Sequence, residues 1–198
     1  MKKTLGILVT TALFATPVCA APYVSVSSGL ASQTNSDSTY SGVKTKDAVT
    51  FKSGVPFVGA VGMNNIGYRL EVALGYQSNS VDKLTLNGVD LNSAGYSQSA
   101  LTYLANGYYD INIKGAFTPY LTAGLGGSSI SQKSPGYATE SRSVFTYQLG
   151  AGVGFTASDN IVVDLGYRYL KPSNFTDNDG GSHTSLSNNF LLGVRYTF

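Results

Sequence analysis

The last nine residues of the chain alternate between two kinds of side chain. The even-numbered positions are apolar or aromatic, namely Phe190, Leu192, Val194, Tyr196 and Phe198. Because successive side chains of a β-strand point to opposite faces, Gly193, Arg195 and Thr197 share the other face. A continuous apolar face that ends in aromatic residues, with an arginine on the face behind it, is typical of a strand in a membrane-spanning β-barrel.

The first twenty residues have the pattern of a secretory signal peptide. Two lysines precede an apolar run at 5–14, and the segment ends in a small residue, Ala20. The run is too short for a spanning helix, which needs roughly 20 apolar residues. We therefore expect cleavage after Ala20, which gives a signal peptide at 1–20 and a mature barrel domain at 21–198. A lipoprotein attached through Cys19 is the less favoured alternative, because the residues before it are not the small ones that such signals carry.

Composition favours a barrel over a soluble domain. Charged residues make up 12% of the 198, about half the usual share of a globular domain, and the chain holds 14 Tyr, 9 Phe and 23 Gly. After the N-terminal run no stretch offers the roughly 18 uninterrupted apolar residues of a spanning helix, so a membrane protein of this composition must close a sheet. Without the two lysines of the signal peptide the chain carries 11 basic and 11 acidic residues, so no nucleic-acid partner is expected.

Eight segments have a two-residue period and are bounded by turn residues. They lie at 22–30, 49–61, 66–79, 97–111, 118–131, 143–157, 161–171 and 186–198. The connections after the second, fourth and sixth segments are short, at 62–65, 112–117 and 158–160, whereas the other four are long and polar. This alternation predicts an all-β fold, an eight-stranded antiparallel up-and-down transmembrane barrel. It also predicts short periplasmic turns, extracellular loops and both mature termini in the periplasm.

The same alternation predicts which charged side chains point inward. An eight-stranded barrel has an interior just wide enough for side chains to fill, so inward charges should pair with one another across the lumen. We expect an ionic cluster formed by Arg69, Glu71, Asp110, Asp164, Arg168 and Arg195. Pairing of Tyr169 with Phe190 at the top of the last hairpin would set Asp164 directly opposite Arg195. These charges are expected to satisfy one another and not to line an ion path.

Four segments of the chain resemble a known family. They are GYRLEVALGY at 67–76, LANGYYDI at 104–111, PYLTAGLG at 119–126 and GVRYTF at 193–198. They look like the small outer-membrane β-barrel family that includes OmpA-type transmembrane domains, neisserial opacity proteins and rickettsial surface antigens. The resemblance covers the mature chain and implies a location in the bacterial outer membrane. It also implies that Phe198, with Tyr196 beside it, is the signal read by the outer-membrane assembly machinery.

Three further motifs have part of the pattern of a nucleotide, calcium or catalytic site. The G-x-G-x-G motif at 150–154 has part of the spacing of a nucleotide loop, but the alternation continues through it, so no nucleotide site is expected. Residues 177–180 begin like a calcium loop without its closing glutamate, so no metal is expected. His183 and Ser185 have the spacing of base and nucleophile in lipid A deacylases, which some eight-stranded barrels resemble. A carboxylate that could orient the imidazole does not follow them.

Function in such a chain is expected to lie in its loops, because exposed loops carry recognition while the strands are held by lipid and by one another. The first loop, at 31–48, and the second, at 80–96, are polar and suit adhesion or contact with lipopolysaccharide sugars. We therefore expect a structural, surface-exposed barrel with adhesive loops, and neither an enzyme nor a cofactor-binding protein. The alternatives are a small channel and a lipid A-modifying hydrolase. The expected partners are outer-membrane lipid, lipopolysaccharide, the assembly machinery and a host or cell-surface ligand, and the expected state is a monomer.

Overall fold

The computed structural model describes residues 20–33, 36–40, 43–51, 53–86, 89–91, 97–111, 113, 115–133, 140–173, 175–176, 182–183 and 186–198. The predicted signal peptide lies outside this part of the chain, apart from Ala20. Among the described residues no helix has the length and apolar character needed to cross a bilayer.

Eight long strands form the wall of the molecule. They are β1 (Ala21–Gln33), β2 (Val55–Asn65), β3 (Tyr68–Leu86), β4 (Ser97–Asp110), β5 (Phe117–Lys133), β6 (Glu140–Thr156), β7 (Ile161–Pro172) and β8 (Ser187–Thr197). Each strand pairs with the next in antiparallel order, and β8 pairs with β1. The sheet therefore closes on itself, which confirms the predicted eight-stranded barrel.

The seam between the first and last strands runs the length of β1. Its register starts with Tyr23 opposite Thr197 and places Val26 opposite Val194. Beyond the last strand, the backbone N–H of Phe198 donates to the carbonyl of Pro22 at 3.0 Å. Closure pairs the edges that a flat sheet would leave open, which is the condition for a sheet to cross a bilayer.

The turn after β2 differs from the sequence prediction. The short connection was expected at 62–65, but β2 continues to Asn65 and the chain reverses at Ile66 and Gly67. Gly67 has a φ of +83°, a conformation that glycine adopts without strain. A side chain at Gly62, by contrast, would collide with the ring of Tyr23, so Gly62 serves packing inside the barrel and not a turn.

The predicted second segment, 49–61, also merges two strands. Its first residues belong to the loop strand Val43–Phe51, and the barrel strand β2 starts only at Val55. In the described part of the long connections, five short loop strands lie at that end of the barrel: Ser36–Tyr40, Val43–Phe51, Val89–Leu91, Phe175–Thr176 and Ser182–His183. They pair with one another and with the end of β3. We call this arrangement the loop-end sheet; it joins segments of the first, second and fourth long connections.

The outer face of the barrel is apolar, as the alternation predicts. Along β3 the outward side chains from Tyr68 to Tyr76 are 50–59% exposed, whereas Arg69 and Glu71 are buried. Tyr68 and Tyr76 are about 27 Å apart along the strand, or about 21 Å along the axis of a barrel with strands tilted by about 40°. This spacing is close to the apolar band of about 25 Å that outer-membrane barrels present to lipid.

Exposed aromatic side chains gather at both edges of this band. Those at the short-turn end are Tyr68, Tyr109, Phe117, Phe155, Tyr196 and Phe198. Those toward the loop end are Phe57, Tyr76, Phe145, Tyr147, Tyr167 and Phe190. Two such rings are the aromatic girdles of a transmembrane barrel.

Candidate functional site

The six charged residues predicted to form a cluster all lie on the inner face, in the half of the lumen nearer the short turns. Arg69, Glu71 and Arg195 are 3–6% exposed. The side chains of Asp110 and Asp164 are 13% and 18% exposed. Three arginines therefore face three carboxylates in a space that is largely closed to solvent.

Arg69 and Asp110 form the best-aligned ion pair of the cluster. The Nε of Arg69 donates to Oδ2 of Asp110 at 2.8 Å, and Nη2 donates to Oδ1 at 2.8 Å. The guanidinium group also lies over the rings of Tyr108 and Tyr120, with its carbon 4.2 Å and 4.9 Å from their centroids. A two-pronged pair that is also stacked on aromatic faces fixes the arginine in one geometry.

Asp164 and Arg195 also approach each other, with 3.3 Å between Oδ2 and Nε. The predicted register is wrong by two residues, because Phe190 pairs with Tyr167 and not with Tyr169. Asp164 consequently lies opposite Gly193, so its side chain reaches Arg195 diagonally. The contact meets the distance of an ion pair without the alignment of a hydrogen bond. The Nε of Arg195 and the Oδ1 of Asp164 have no hydrogen-bond partner among the described residues.

Glu71 is held by neutral donors. Its carboxylate accepts hydrogen bonds from the hydroxyl of Tyr23 at 3.1 Å, the amide of Asn106 at 3.0 Å and the hydroxyl of Tyr108 at 2.9 Å. Arg168 donates from Nη2 to the same Tyr108 hydroxyl at 2.9 Å. Tyr108 thus links the positive charge of Arg168 to the negative charge of Glu71.

Sequence reasoning from charge alone missed these neutral partners. Tyr23, Asn106 and Tyr108 are at most 5% exposed, and Gln148 donates to Asn106 at 2.6 Å. The signal that could have found them is strand parity, because Asn106 and Tyr108 occupy the same face as the predicted Asp110. A buried carboxylate needs hydrogen-bond donors, and residues on its face are the ones that can supply them.

The glycine motif at 150–154 has a packing role inside the barrel. These residues continue β6 without interruption, as the alternation predicts. A Cβ at Gly152 would collide with the ring and hydroxyl of Tyr120, and a Cβ at Gly166 on the neighbouring strand would lie 2.6 Å from the same hydroxyl. The glycines therefore make the space that the large inward side chain of Tyr120 fills.

The remaining predicted residues lie outside the lumen. Tyr196 and Phe198 are 43% and 69% exposed on the outer face at the short-turn end, with ring centroids 5.2 Å apart. His183 belongs to a two-residue strand of the loop-end sheet, where it pairs with Ser38. Ser185 and the segment 177–180 lie outside the described residues.

In this half of the lumen the inward side chains neutralise one another's charges and take up most of the space. Its three cations and three anions are close together, aromatic and amide side chains lie between several of them, and a small cavity remains among Arg69, Glu71 and Asp164. Such an arrangement stabilises a closed lumen, because each buried charge has a charged or polar neighbour. Any contact with a large partner would then have to be made at the ends of the barrel.

Comparison with known proteins relates the chain to outer membrane proteins. The family model described as outer membrane protein beta-barrel domain matches residues 6–198. Outer membrane protein PagN of Salmonella typhimurium is 33% identical over 117 residues, which are 49% of this chain and 49% of PagN. The match to this relative thus spans about half of its length. A Rickettsia bellii protein named "Putative adhesin" is 25% identical over 176 residues, covering 77% of this chain and 76% of that protein.

A solved structure supports the fold. The crystal structure of Neisserial surface protein A superimposes with a TM-score of 0.58 and 18% sequence identity. The superposition covers 89% of this chain and 97% of the neisserial chain. At this identity the likeness concerns the barrel fold alone.

Proposed function

The chain belongs to the outer membrane protein β-barrel family, and from this premise we propose that it is a surface barrel whose loop end adheres to a ligand on another cell. It is a protein of the bacterial outer membrane. The observation that carries the proposal is the loop-end sheet, in which segments of three long connections continue the barrel wall beyond the apolar band. The Rickettsia bellii relative, which has adhesin in its name, supports the same role.

The filled lumen supports a role at the surface over a role in conduction. The ionic cluster and its tyrosine and amide partners occupy the half of the barrel nearer the short turns. Opening a pore there would require these buried pairs to separate, and separating a buried ion pair is costly. We therefore assign the six charged residues a structural role in holding the barrel closed.

The orientation and processing of the chain are part of the proposal. The short turns and both ends of the barrel would lie in the periplasm, and the long connections outside the cell. Residues 1–20 would be removed as a signal peptide. Phe198, with Tyr196, would be read by the assembly machinery, and the barrel would insert as a monomer surrounded by lipid and lipopolysaccharide.

We expect the protein not to be an enzyme. His183 is placed in the loop-end sheet between Ser38 and Phe175, beyond the end of the barrel strands. The acyl chains of lipid A lie alongside the apolar band, so a base in this sheet would be remote from them. Unchanged lipid A in cells that express the wild-type protein, compared with cells that carry empty vector, is the expected result.

The test of adhesion uses the intact protein on the surface of a non-adherent bacterial strain. In one variant residues 34–53 are replaced by a short glycine- and asparagine-rich turn, and the control variant Asp159→Asn changes an exposed residue at the opposite end. Wild type and control should bind cultured epithelial cells above empty vector, and the loop variant should not, while all three migrate as folded barrels on unboiled gels. Equal binding by wild type and empty vector would overturn the proposal.

A further inference from the structure

The half of the lumen nearer the long loops contains a cavity of different character from the ionic cluster. Its described lining residues come from seven of the eight barrel strands, all but β6. None of these lining residues carries a charge. Gln33 is the last residue of β1 and Gln98 the second residue of β4, so the cavity lies where the strands meet the long connections. A ligand would reach it from the loop end.

One side of the cavity is a network of amide and hydroxyl groups. Gln77 donates from Nε2 to Oδ1 of Asn79 at 2.7 Å and to Oγ of Ser187 at 3.1 Å, and Ser187 donates to Oδ1 of Asn189 at 2.6 Å. Because β1 and β2 stand between β3 and β8, the contact of Gln77 with Ser187 crosses the lumen. The network therefore holds several amide groups in fixed positions at the cavity wall.

The other sides combine an unused amide with apolar walls. Within the described part of the chain, Gln98 lines the cavity and makes no side-chain hydrogen bond, which leaves a carbonyl and an NH₂ group to bind a ligand. Pro56, Ile130 and Leu170 are buried and supply apolar surface.

This lining selects the chemistry of a ligand. A charged group would lose water and find no opposite charge among the described lining residues, which makes its burial costly. A purely hydrocarbon ligand would cover amide groups without offering hydrogen bonds, which is also costly. A ligand with hydroxyl groups at its edges and C–H groups on its faces matches both kinds of wall. The cavity measures only about 50 Å³, so it has room for one edge of a small ligand, whose remainder would lie toward the loop end.

We propose that this cavity binds the hydroxyl-bearing edge of a single uncharged sugar ring, presented at the end of a neutral cell-surface glycan. The proposal deepens the adhesive role proposed above and rests on it, because it names the ligand class for the same end of the barrel. Amide side chains serve such a ring well, since each amide both donates and accepts hydrogen bonds and each sugar hydroxyl does the same.

The test uses full-length barrel in phosphatidylcholine nanodiscs, because detergents with sugar headgroups would compete. The probes are the methyl glycosides of glucose, galactose, mannose and N-acetylglucosamine, followed by saturation-transfer NMR and calorimetric titration. Gln98→Ala removes the unused amide, and Ala100→Phe fills the cavity. The matched control, Leu101→Phe, places the same bulk on the outer face one residue away, where Leu101 is 48% exposed.

We expect saturable binding of at least one glycoside by wild type and by Leu101→Phe. Gln98→Ala should weaken it by about five-fold, as expected for the loss of one or two hydrogen bonds, and Ala100→Phe should abolish it while the barrel stays folded by gel mobility. Absence of binding for all four glycosides, or undiminished binding by both cavity variants, would overturn the inference.

Two further experiments complete the test. The first distinguishes a free sugar from a sugar at the end of a glycan, and the second distinguishes sugar binding from adhesion. Beads that display a neutral oligosaccharide ending in the bound sugar should be retained by wild type, and binding of the free glycoside without bead retention would contradict a glycan as the source. In the cell assay, adhesion without any glycoside binding would remove this inference and leave the adhesive function standing. Glycoside binding without adhesion would remove the adhesive function instead, and with it the role of the cavity in adhesion.

Discussion

Tyr120 occupies the space that a side chain at Gly152 would need. The two residues face each other across the β5–β6 pairing, and a Cβ at Gly152 would overlap the ring and hydroxyl of Tyr120. Tyr120 in turn lies beneath the guanidinium of Arg69, so the glycine indirectly fixes the position of the best-aligned ion pair in the lumen. Small and large residues thus alternate across the interior to fill it.

This relationship predicts the effect of a single methyl group. Gly152→Ala should lower the free energy of unfolding by about 1–3 kcal/mol, because overpacking forces neighbouring groups to shift. Gly59→Ala is the matched control, since nothing lies within 4 Å of a Cβ at that outward position, and it should change stability by less than about 0.5 kcal/mol. Urea unfolding of both variants in lipid vesicles measures the difference; equal stabilities would refute the packing role.

The Arg69–Asp110 pair predicts a measurable coupling. Arg69→Leu leaves the carboxylate of Asp110 without its partner and should cost about 3–5 kcal/mol. In a double-mutant cycle with Asp110→Asn, the interaction energy should be about 0.5–3 kcal/mol. Asp159→Asn, in the exposed turn between β6 and β7, should have almost no effect. Strictly additive losses in the cycle would show that the 2.8 Å contacts do not stabilise the barrel.

The closed lumen predicts the electrical behaviour of the protein. Wild type inserted into planar bilayers should give no stable conductance steps, because buried pairs and tyrosines fill the half nearer the short turns. Tyr108→Ala combined with Tyr120→Ala removes two of the largest inward side chains and should produce measurable openings. A porin in the same bilayers controls for detection. Large, long-lived conductance of the wild type would contradict the filled interior.

The C-terminal aromatic residue predicts a defect in assembly that is separate from stability. Phe198→Ala should reduce the amount of folded barrel in the outer membrane several-fold, because the assembly signal would be lost. The same variant refolded into lipid vesicles should unfold at nearly the wild-type urea concentration. Phe190→Ala, an aromatic of the opposite girdle with 59% exposure, is the control and should assemble normally. Equal outer-membrane levels of both variants would rule out a special role for Phe198.

The sequence predicted the barrel and its faces because lipid and lumen impose opposite requirements on alternate residues. In β3, β6 and β8 every second side chain must be apolar, so the alternation is regular and its parity assigns Arg69, Glu71 and Arg195 to the interior. The same parity holds for Asp164 and Arg168 on β7. These assignments depend only on the geometry of a single strand.

Relationships between strands were harder to predict. The register of β7 against β8 is not set by a tight turn, since residues 173–186 intervene, and the predicted pairing of Tyr169 with Phe190 was two residues away from the observed one. The role of glycine was also ambiguous in the sequence, because a glycine at position 62 is compatible with a turn and equally with close packing against Tyr23. Two of the donors around Glu71, Asn106 and Tyr108, lie on the neighbouring strand β4, but Tyr23 lies on β1, two strands away on the other side, so the curvature of the barrel is needed to bring all three together.

The barrel is closed where its first and last strands meet, and a disulfide across this seam would report the closure itself. Val26 and Val194 are opposite each other on β1 and β8 and both face outward, and directly opposed residues of an antiparallel pair are within disulfide reach. In outer membranes oxidised with copper phenanthroline, Val26→Cys with Val194→Cys should cross-link efficiently. Val26→Cys with Leu149→Cys, three strands away on β6, should not. Failure of the first pair to cross-link in folded protein, or equal cross-linking of both pairs, would contradict closure.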